Sequence, residues 1–299
     1  MRMPSVDPAV REKYLRAGAI AKEAREYGAS RVKAGGSSLE LADEIEAVIR
    51  KRGAECAFPV NIGVNDVAAH YTPSRENDLR FRQGDVVKLD VGAHVGGYPA
   101  DTAVTVEVGT RNHTKLIEAA RDALQMCVEM VAPGTTVSAI GSMVSKTVSS
   151  AGFRPVENLT GHSMERFNLH AGLSIPNIET RDRTTLQEGM ILAIEPFAST
   201  GAGRVSGKGR GSIYRIIRER KAPPEVTALY SKISKAYGPF PFAGRWCDQL
   251  DPNAQTLLHK MFRLGIVMNY PVLTDTGAGV VAQAEHSVLV TSDGCELLT

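Results

Sequence analysis

Cysteine is sparse and scattered. Cys56, Cys127, Cys247 and Cys295 are the only four in 299 residues, and no two form a C-x-x-C pair. That excludes a disulfide frame or a zinc knuckle and leaves buried thiols in a reducing cytosol. An excess of charge of one sign is lacking as well. The 35 lysines and arginines against 33 aspartates and glutamates leave a net +2, too little for the clustered basic field that a nucleic-acid partner requires. No apolar stretch approaches the roughly 20 residues of a membrane helix. The opening MRMPSVDPAVREKYLRAG has no apolar centre of the kind that marks a signal peptide. What is present is 43% hydrophobic and 23% charged residues, the composition of a soluble, cytoplasmic chain with room for a sizeable core.

Helical spacing predicts a helix over 7–33, closed by Gly35-Gly36. A second runs from a Ser37 or Ser38 cap to Arg52, with Leu39, Ala42, Ile45 and Ile49 on one face. VVKLDVGAHV and DTAVTVEV, separated by Gly96-Gly97, read as a β-hairpin, and two more helices follow at roughly 112–131 and 136–150. The second half opens with a histidine-bearing loop region, NLTGHSMERFNLHAG, then a buried strand, MILAIEP, at 190–196. Residues 199–211, rich in glycine and basic residues, are expected to form an exposed loop. Helices are expected at 223–236 and 251–265, and VVAQAEHSVLV and CELLT close the chain as strands. Mixed helices and antiparallel strands predict an α+β architecture: one domain interrupted by a helical, winged-helix-like insertion at about 205–268.

The hairpin permits a register calculation. A tight loop on Gly96-Gly97 pairs residues whose numbers sum to 193, so Asp90 faces Ala103 and Gly92 faces Asp101. Side chains alternate with period two, and the two aspartates become diagonal neighbours on one face, roughly 7–8 Å apart and within reach of one ion or a close pair. Two solvated aspartates are the commoner outcome for such a pair, and Pro99 argues mildly against full pairing near the turn. Glu195 ends the apolar run Met190 to Ile194, where an unpaired carboxylate costs several kcal/mol. Glu285 raises the same problem beside Gln283 and Ser287. An ion pair with Lys88 or an arginine would explain either glutamate equally well. Four carboxylates with one neutral histidine match two divalent cations, an arrangement suited to hydrolysis. Of the seven histidines, His70, His162 and His170 lie in turn-rich segments. His94, His113 and His259 are expected at the surface, and His286 on the strand face opposite Glu285. The glycine-rich GAGRVSGKGRG lacks the G-K-[ST] ending of a phosphate cradle.

FPVNIGVNDVAAHYTP, KLDVGAHVGGYPADTAV, NLTGHSMERFNLHAGLSIPN, AIEPFASTGAG and AQAEHSVLV occur in that order over nearly the whole chain. Together they resemble the motifs of type II methionine aminopeptidases, members of the M24 metallopeptidases, in the short archaeal form without a charged N-terminal extension. The resemblance implies the pita-bread fold, an internally pseudo-symmetric antiparallel sheet covered by helices. It implies two divalent metal ions (cobalt, manganese, iron or zinc) held by Asp90, Asp101, His162, Glu195 and Glu285. Asp90 would chelate one ion, Asp101 and Glu285 bridge both, and His162 with Glu195 complete the second. Glu195 would also shuttle a proton, His70 and His170 would assist catalysis and contact the substrate, and Phe58, Phe197 and Tyr270 would line a methionine pocket.

The implied activity is removal of the N-terminal methionine from nascent proteins whose second residue is small. The expected partners are such peptides, met near the ribosome by a monomeric chain, with no nucleic acid and no membrane. Three positions depart from the family pattern: Gly63 for a serine, Ala284 for the phenylalanine of AQFEH, and Ile213 where eukaryotic relatives place a histidine. Proline-specific peptidases of the same fold are the first rival, expected to carry a separate N-terminal domain for which this chain has no room. Relatives that act only as binding modules are the second, expected to lack some of the five ligands.

Overall fold

A computed structural model describes residues 6–299. Asp7 caps α1 (Pro8–Arg31) by accepting hydrogen bonds from the amides of Ala9 and Val10 at 2.9 and 3.2 Å, with Pro8 at the first helical position, where no amide is needed. Ser37 caps α2 (Ser38–Lys51) in the same way, its Oγ accepting from Glu40 N at 3.0 Å. The buried stripe of α2 is Leu41, Ala42, Ile45 and Ile49, with Leu41 in the place expected for Leu39. Both helices pack on a hairpin of two ten-residue strands, Val86–Val95 and Tyr98–Glu107. Gly96 and Gly97 take φ of +60° and +89° at its two-residue turn, as a twist-matched hairpin requires. Asp90 faces Ala103 and Gly92 faces Asp101, as the sum of 193 demands. Pro99 faces His94, one pair beyond the turn-closing pair. That position exchanges no ladder hydrogen bond, so the missing amide costs nothing.

The second half has its own antiparallel sheet, in the order Cys295–Leu297, His286–Val290, Ile191–Ile194, Thr160–Met164, Ser174–Pro176. It is covered by α3 (Thr114–Met130) and α4 (Val137–Ser150), with which it shares a core of Leu116, Leu124, Ile140, Leu192 and Val288. His162 therefore sits on a strand, not in the loop expected for it. The run Thr-Gly-His-Ser-Met has too little apolar alternation to announce one. The strand expected over VVAQAEHSVLV is interrupted: Val281–Gln283 and His286–Val290 are separate, and Ala284-Glu285 turns between them. That break docks Glu285 on the hairpin, where it exchanges backbone hydrogen bonds with Ala103 at 3.2 and 3.3 Å. Thr102 Oγ1 donates to Glu285 O at 2.9 Å, and Thr105 Oγ1 to Gln283 O at 2.7 Å, extending the seam between the halves.

The segment 199–211 is not an exposed loop. Strand Val205–Ile216 runs through it and pairs with Val267–Asp275, which pairs in turn with Val67–Ala69. Its glycines serve close approach: a Cβ on Gly211 would lie 2.2 Å from the carbonyl oxygen of Tyr270. Between these strands lie α5 (Pro224–Tyr237), a 3-10 turn (Gly244–Gln249) and α6 (Ala254–Arg263). Val226, Leu229, Leu258 and Met261 join the same buried cluster as Ile45 and Leu89, so this segment packs into the core of the first half. Among the described residues no helix is long and apolar enough to cross a membrane.

Candidate metal centre

Asp90 and Asp101 arrive from the two hairpin strands, His162 and Glu195 from the central strands of the second sheet, and Glu285 from the seam. Ligand atoms of Asp101, His162 and Glu285 all lie within 4.8 Å of one another. His162 Nε2 is 3.7 Å from Asp101 Oδ2 and 3.8 Å from Glu195 Oε1. The Asp101 backbone is fixed by Ser287, whose Oγ accepts from Asp101 N and donates to Asp101 O, both at 2.8 Å. Gly92 leaves room for Phe58, whose ring a Cβ there would meet at 2.2 Å.

Burial pushes the Asp90 carboxyl up to about 7. It holds Asp101, Glu195 and Glu285 well above the usual carboxylate range, with repulsion from the neighbouring carboxylates adding to it. Burial also takes His162 down to about 3, so its imidazole is neutral. Its Nδ1 lies 3.4 Å from the carbonyl oxygen of Ser163, a partner that holds the ring hydrogen there and turns the Nε2 lone pair toward Asp101 and Glu195. Lone pair against carboxylate is repulsive unless a cation stands between them. Asp90 Oδ1 and Asp101 Oδ1 are buried without a hydrogen-bond partner. Among the described residues no lysine or arginine lies within 4 Å of any of the four carboxylates. Lys88 is buried but gives its ammonium to the carbonyls of Asn65 at 2.9 Å and Val281 at 2.7 Å, which removes the ion-pair explanation for Glu195 and Glu285. A buried set of carboxylates and one neutral imidazole, short of positive charge and of hydrogen bonds, fits divalent cations.

The cluster forms the floor of a cavity of about 330 Å³. Phe58, His70, His170 and Tyr270 line it, as expected, and Ile213 does too. His70 takes φ +61° and sets its ring edge against Tyr270, centroids 5.3 Å apart. Burial lowers its pKa to about 4. The ring of His170 lies 4.3 Å from that of His162. Phe197 does not line the cavity. It is fully buried with Ala68, Val156, Val205 and Val281, because its strand, Phe197–Ser199, runs on past Pro196 into the core. Gly63 and Ala284 lie outside the cavity as well. Asn61, Leu159, Leu169 and Pro241 line it and were not foreseen. Asn61 pairs in register with Asp90, which only knowledge of the third strand could reveal.

The remaining histidines are accounted for locally. His286 lies beside Arg25 and Thr299, away from the cluster, as expected. His259 is exposed beside Arg210, and His113 lies 3.6 Å from Glu107. His94 is no surface residue; it stacks on Phe240 at 4.5 Å.

Antiparallel sheets under paired helices, meeting at buried carboxylates and a neutral imidazole, define a pita-bread metallohydrolase. The chain belongs to metallopeptidase family M24, whose sequence pattern matches residues 12–292. It is 39% identical to the methionine aminopeptidase of Methanocaldococcus jannaschii over 289 residues, covering 96% of this chain and 98% of that protein. The methionine aminopeptidase of Thermotoga maritima superposes with a TM-score of 0.73 at 23% identity, covering 99% of each chain. A thermophilic Arx1 superposes with a TM-score of 0.86 at 18% identity, covering 98% of this chain and 91% of that one. These two structures speak for the fold alone.

Proposed function

We propose that the chain removes the N-terminal methionine from proteins whose second residue is small. The observation that carries this is the cluster of Asp90, Asp101, His162, Glu195 and Glu285, with no lysine or arginine within 4 Å of its carboxylates among the described residues, at a cavity of about 330 Å³. Those five side chains would hold two divalent ions of cobalt, manganese, iron or zinc, Asp101 and Glu285 contributing to both. Bound there, the ions would polarise the scissile carbonyl and favour ionisation of water.

The protein's own groups carry the rest. Phe58 and Tyr270 present aromatic faces, and Ile213 an apolar one, to a thioether side chain. Glu195 would take a proton from the attacking water and deliver it to the leaving amide nitrogen. His70 and His170, which both line the cavity, would hydrogen-bond the substrate as charge develops on its carbonyl oxygen. A free α-amine bound beside Asp90 would make the cleavage exopeptidic. We place this activity on nascent chains in the cytoplasm, near the ribosome, with a single chain as the working unit.

The test is the metal-reconstituted protein on four peptides. Methionine release from Met-Ala and Met-Gly, with little from Met-Leu and Met-Lys, is expected. Equal rates on all four, or cleavage only before proline, would overturn it.

A further inference from the structure

His70 sits at a backbone conformation that a residue with a side chain adopts only when its surroundings impose it. On one side the imposition comes from strand Val267–Asp275, through Tyr270 and the pairing of Ala69 with Leu273. On the other it comes from Arg245, in the 3-10 turn between α5 and α6. The guanidinium of Arg245 is buried and donates to Thr72 Oγ1 at 2.7 Å and to the carbonyl of Pro73 at 3.3 Å. Its other edge pairs with Glu46, which is 1% exposed, and meets Asp43 at 3.3 Å. The chain of contacts continues. Thr72 Oγ1 donates to the carbonyl of Val60 at 2.8 Å, and Val60 N donates to Glu46 Oε1 at 3.3 Å. Glu46 also accepts from Trp246 Nε1 at 2.7 Å.

One planar fork thus joins α2, the segment leading from Phe58 to Asn61, and Thr72 and Pro73, the second and third residues after His70. A buried ion pair adds little net stability over apolar packing of the same volume. Arginine's distinguishing property is the fixed direction of its donors, and here they point at the segment that carries the cavity's histidine.

We propose that Arg245 is the positioning residue for His70. Through Thr72 and Pro73 it fixes the left-handed turn that aims the imidazole into the cavity. The segment that separates strands Val205–Ile216 and Val267–Asp275 therefore has a function in the active site. This rests on the reading that His70 acts on the substrate.

The test compares Arg245→Met, Thr72→Val, Thr72→Ser and the Arg245→Met/Thr72→Val double variant in the metal-loaded protein, on Met-Ala peptides. The first two are expected to lower kcat roughly 10- to 100-fold, the scale of a misplaced reacting group, with KM changed less than about twofold and metal content unchanged. Thr72→Ser, which keeps the hydroxyl, should retain the wild-type kcat. The double variant should be no slower than the slower single one, because both cut the same link. An activity-independent readout is the His70 ring signal in nuclear magnetic resonance, assigned by its loss in His70→Ala. It should broaden or split in Arg245→Met and Thr72→Val and stay as in the wild type in Thr72→Ser. Wild-type kcat in folded Arg245→Met, additive losses, or an unchanged ring signal would overturn the assignment; if Arg245→Met does not fold, the Thr72 pair decides. A wild-type protein inactive on Met-Ala would instead sink the reading of the function, and the ring signal would still judge the positioning.

Discussion

Two places in this molecule bury carboxylates, and they are built in opposite ways. Around Glu46 every oxygen has a partner: Arg245 on one side, the Trp246 indole at 2.7 Å on the other, Val60 N at 3.3 Å and Arg50 at 3.6 Å. Around Asp90, Asp101, Glu195 and Glu285 there are four carboxylates and a neutral imidazole, with two buried oxygens left without a hydrogen bond. Burial raises the proton affinity in both places, so burial alone does not tell them apart. The supply of positive charge does. Where an arginine sits against the carboxylate, the cluster is a joint; where, among the described residues, no lysine or arginine comes within 4 Å and only the more distant Arg25 acts on Glu285, the site is open to a cation that arrives from solution.

Asp101→Asn breaks the comparison hardest, because it makes the second cluster resemble the first by removing charge. If Asp101 holds both of the proposed ions, its loss should leave at most one tightly bound, with activity falling below detection. Calorimetric titration that still finds two unaltered sites would end the assignment. His70→Ala comes next. Both ions should remain by elemental analysis while kcat falls by roughly 10²- to 10⁴-fold, the usual worth of a group acting in proton transfer or hydrogen bonding. His162→Ala should lose metal and activity together, so excess metal should partly restore it and leave His70→Ala unchanged. Glu46→Gln has a smaller and different effect. It removes the buried counter-charge of Arg245, leaving only the exposed carboxylate of Asp43 at 3.3 Å, and should cost about 3 kcal/mol of stability, read as a lower urea midpoint, with the metal content of the folded protein unchanged.

The two clusters also differ in how far they could be read from sequence. The Asp90–Asp101 pair needed only a two-residue turn and the period of a strand, both local, and the register came out residue for residue. Glu195 stood out because it ends an apolar run. The Glu46–Arg245 joint was invisible, since its members lie 199 positions apart and neither breaks a pattern of its own. His162 was picked as a ligand candidate and lies in the carboxylate cluster, but its strand was not foreseen, because Gly161 and Ser163 hide the alternation. The glycines of 199–211 suggested a loop for a related reason. In an exposed segment they would mean freedom, whereas here they let one strand press against Tyr270 and Pro271. Phe197 shows the limit of residue type as a guide: an aromatic beside a ligand faced the core once Pro196 had turned the chain.

The dependence of stability on pH is the most direct measure of the missing positive charge. In the protein stripped of metal, Asp90 keeps its proton up to about pH 7, and burial holds those of Asp101, Glu195 and Glu285 well above the usual carboxylate range. In the unfolded chain the same groups release protons near pH 4. Between those limits the folded state holds more protons, so stability falls as pH rises. His162 and His70 act in the opposite sense. Lowered to about 3 and 4, they add stability as pH rises, but that contribution levels off through about 6.5, where the unfolded histidine is half deprotonated, and ends about one pH unit above it. Lys88, lowered to about 7, also opposes the fall above that pH, and it does so with or without metal. The difference between metal-loaded and chelator-treated protein removes such shared contributions. That difference should widen from about pH 6.5 to 8, by up to about 1.4 kcal/mol per pH unit for each proton the stripped cluster still holds. Urea unfolding of both forms at several pH values measures it. A gap that stays constant would mean that the four carboxylates are already balanced within the chain, as Glu46 is, and that the two clusters are alike after all.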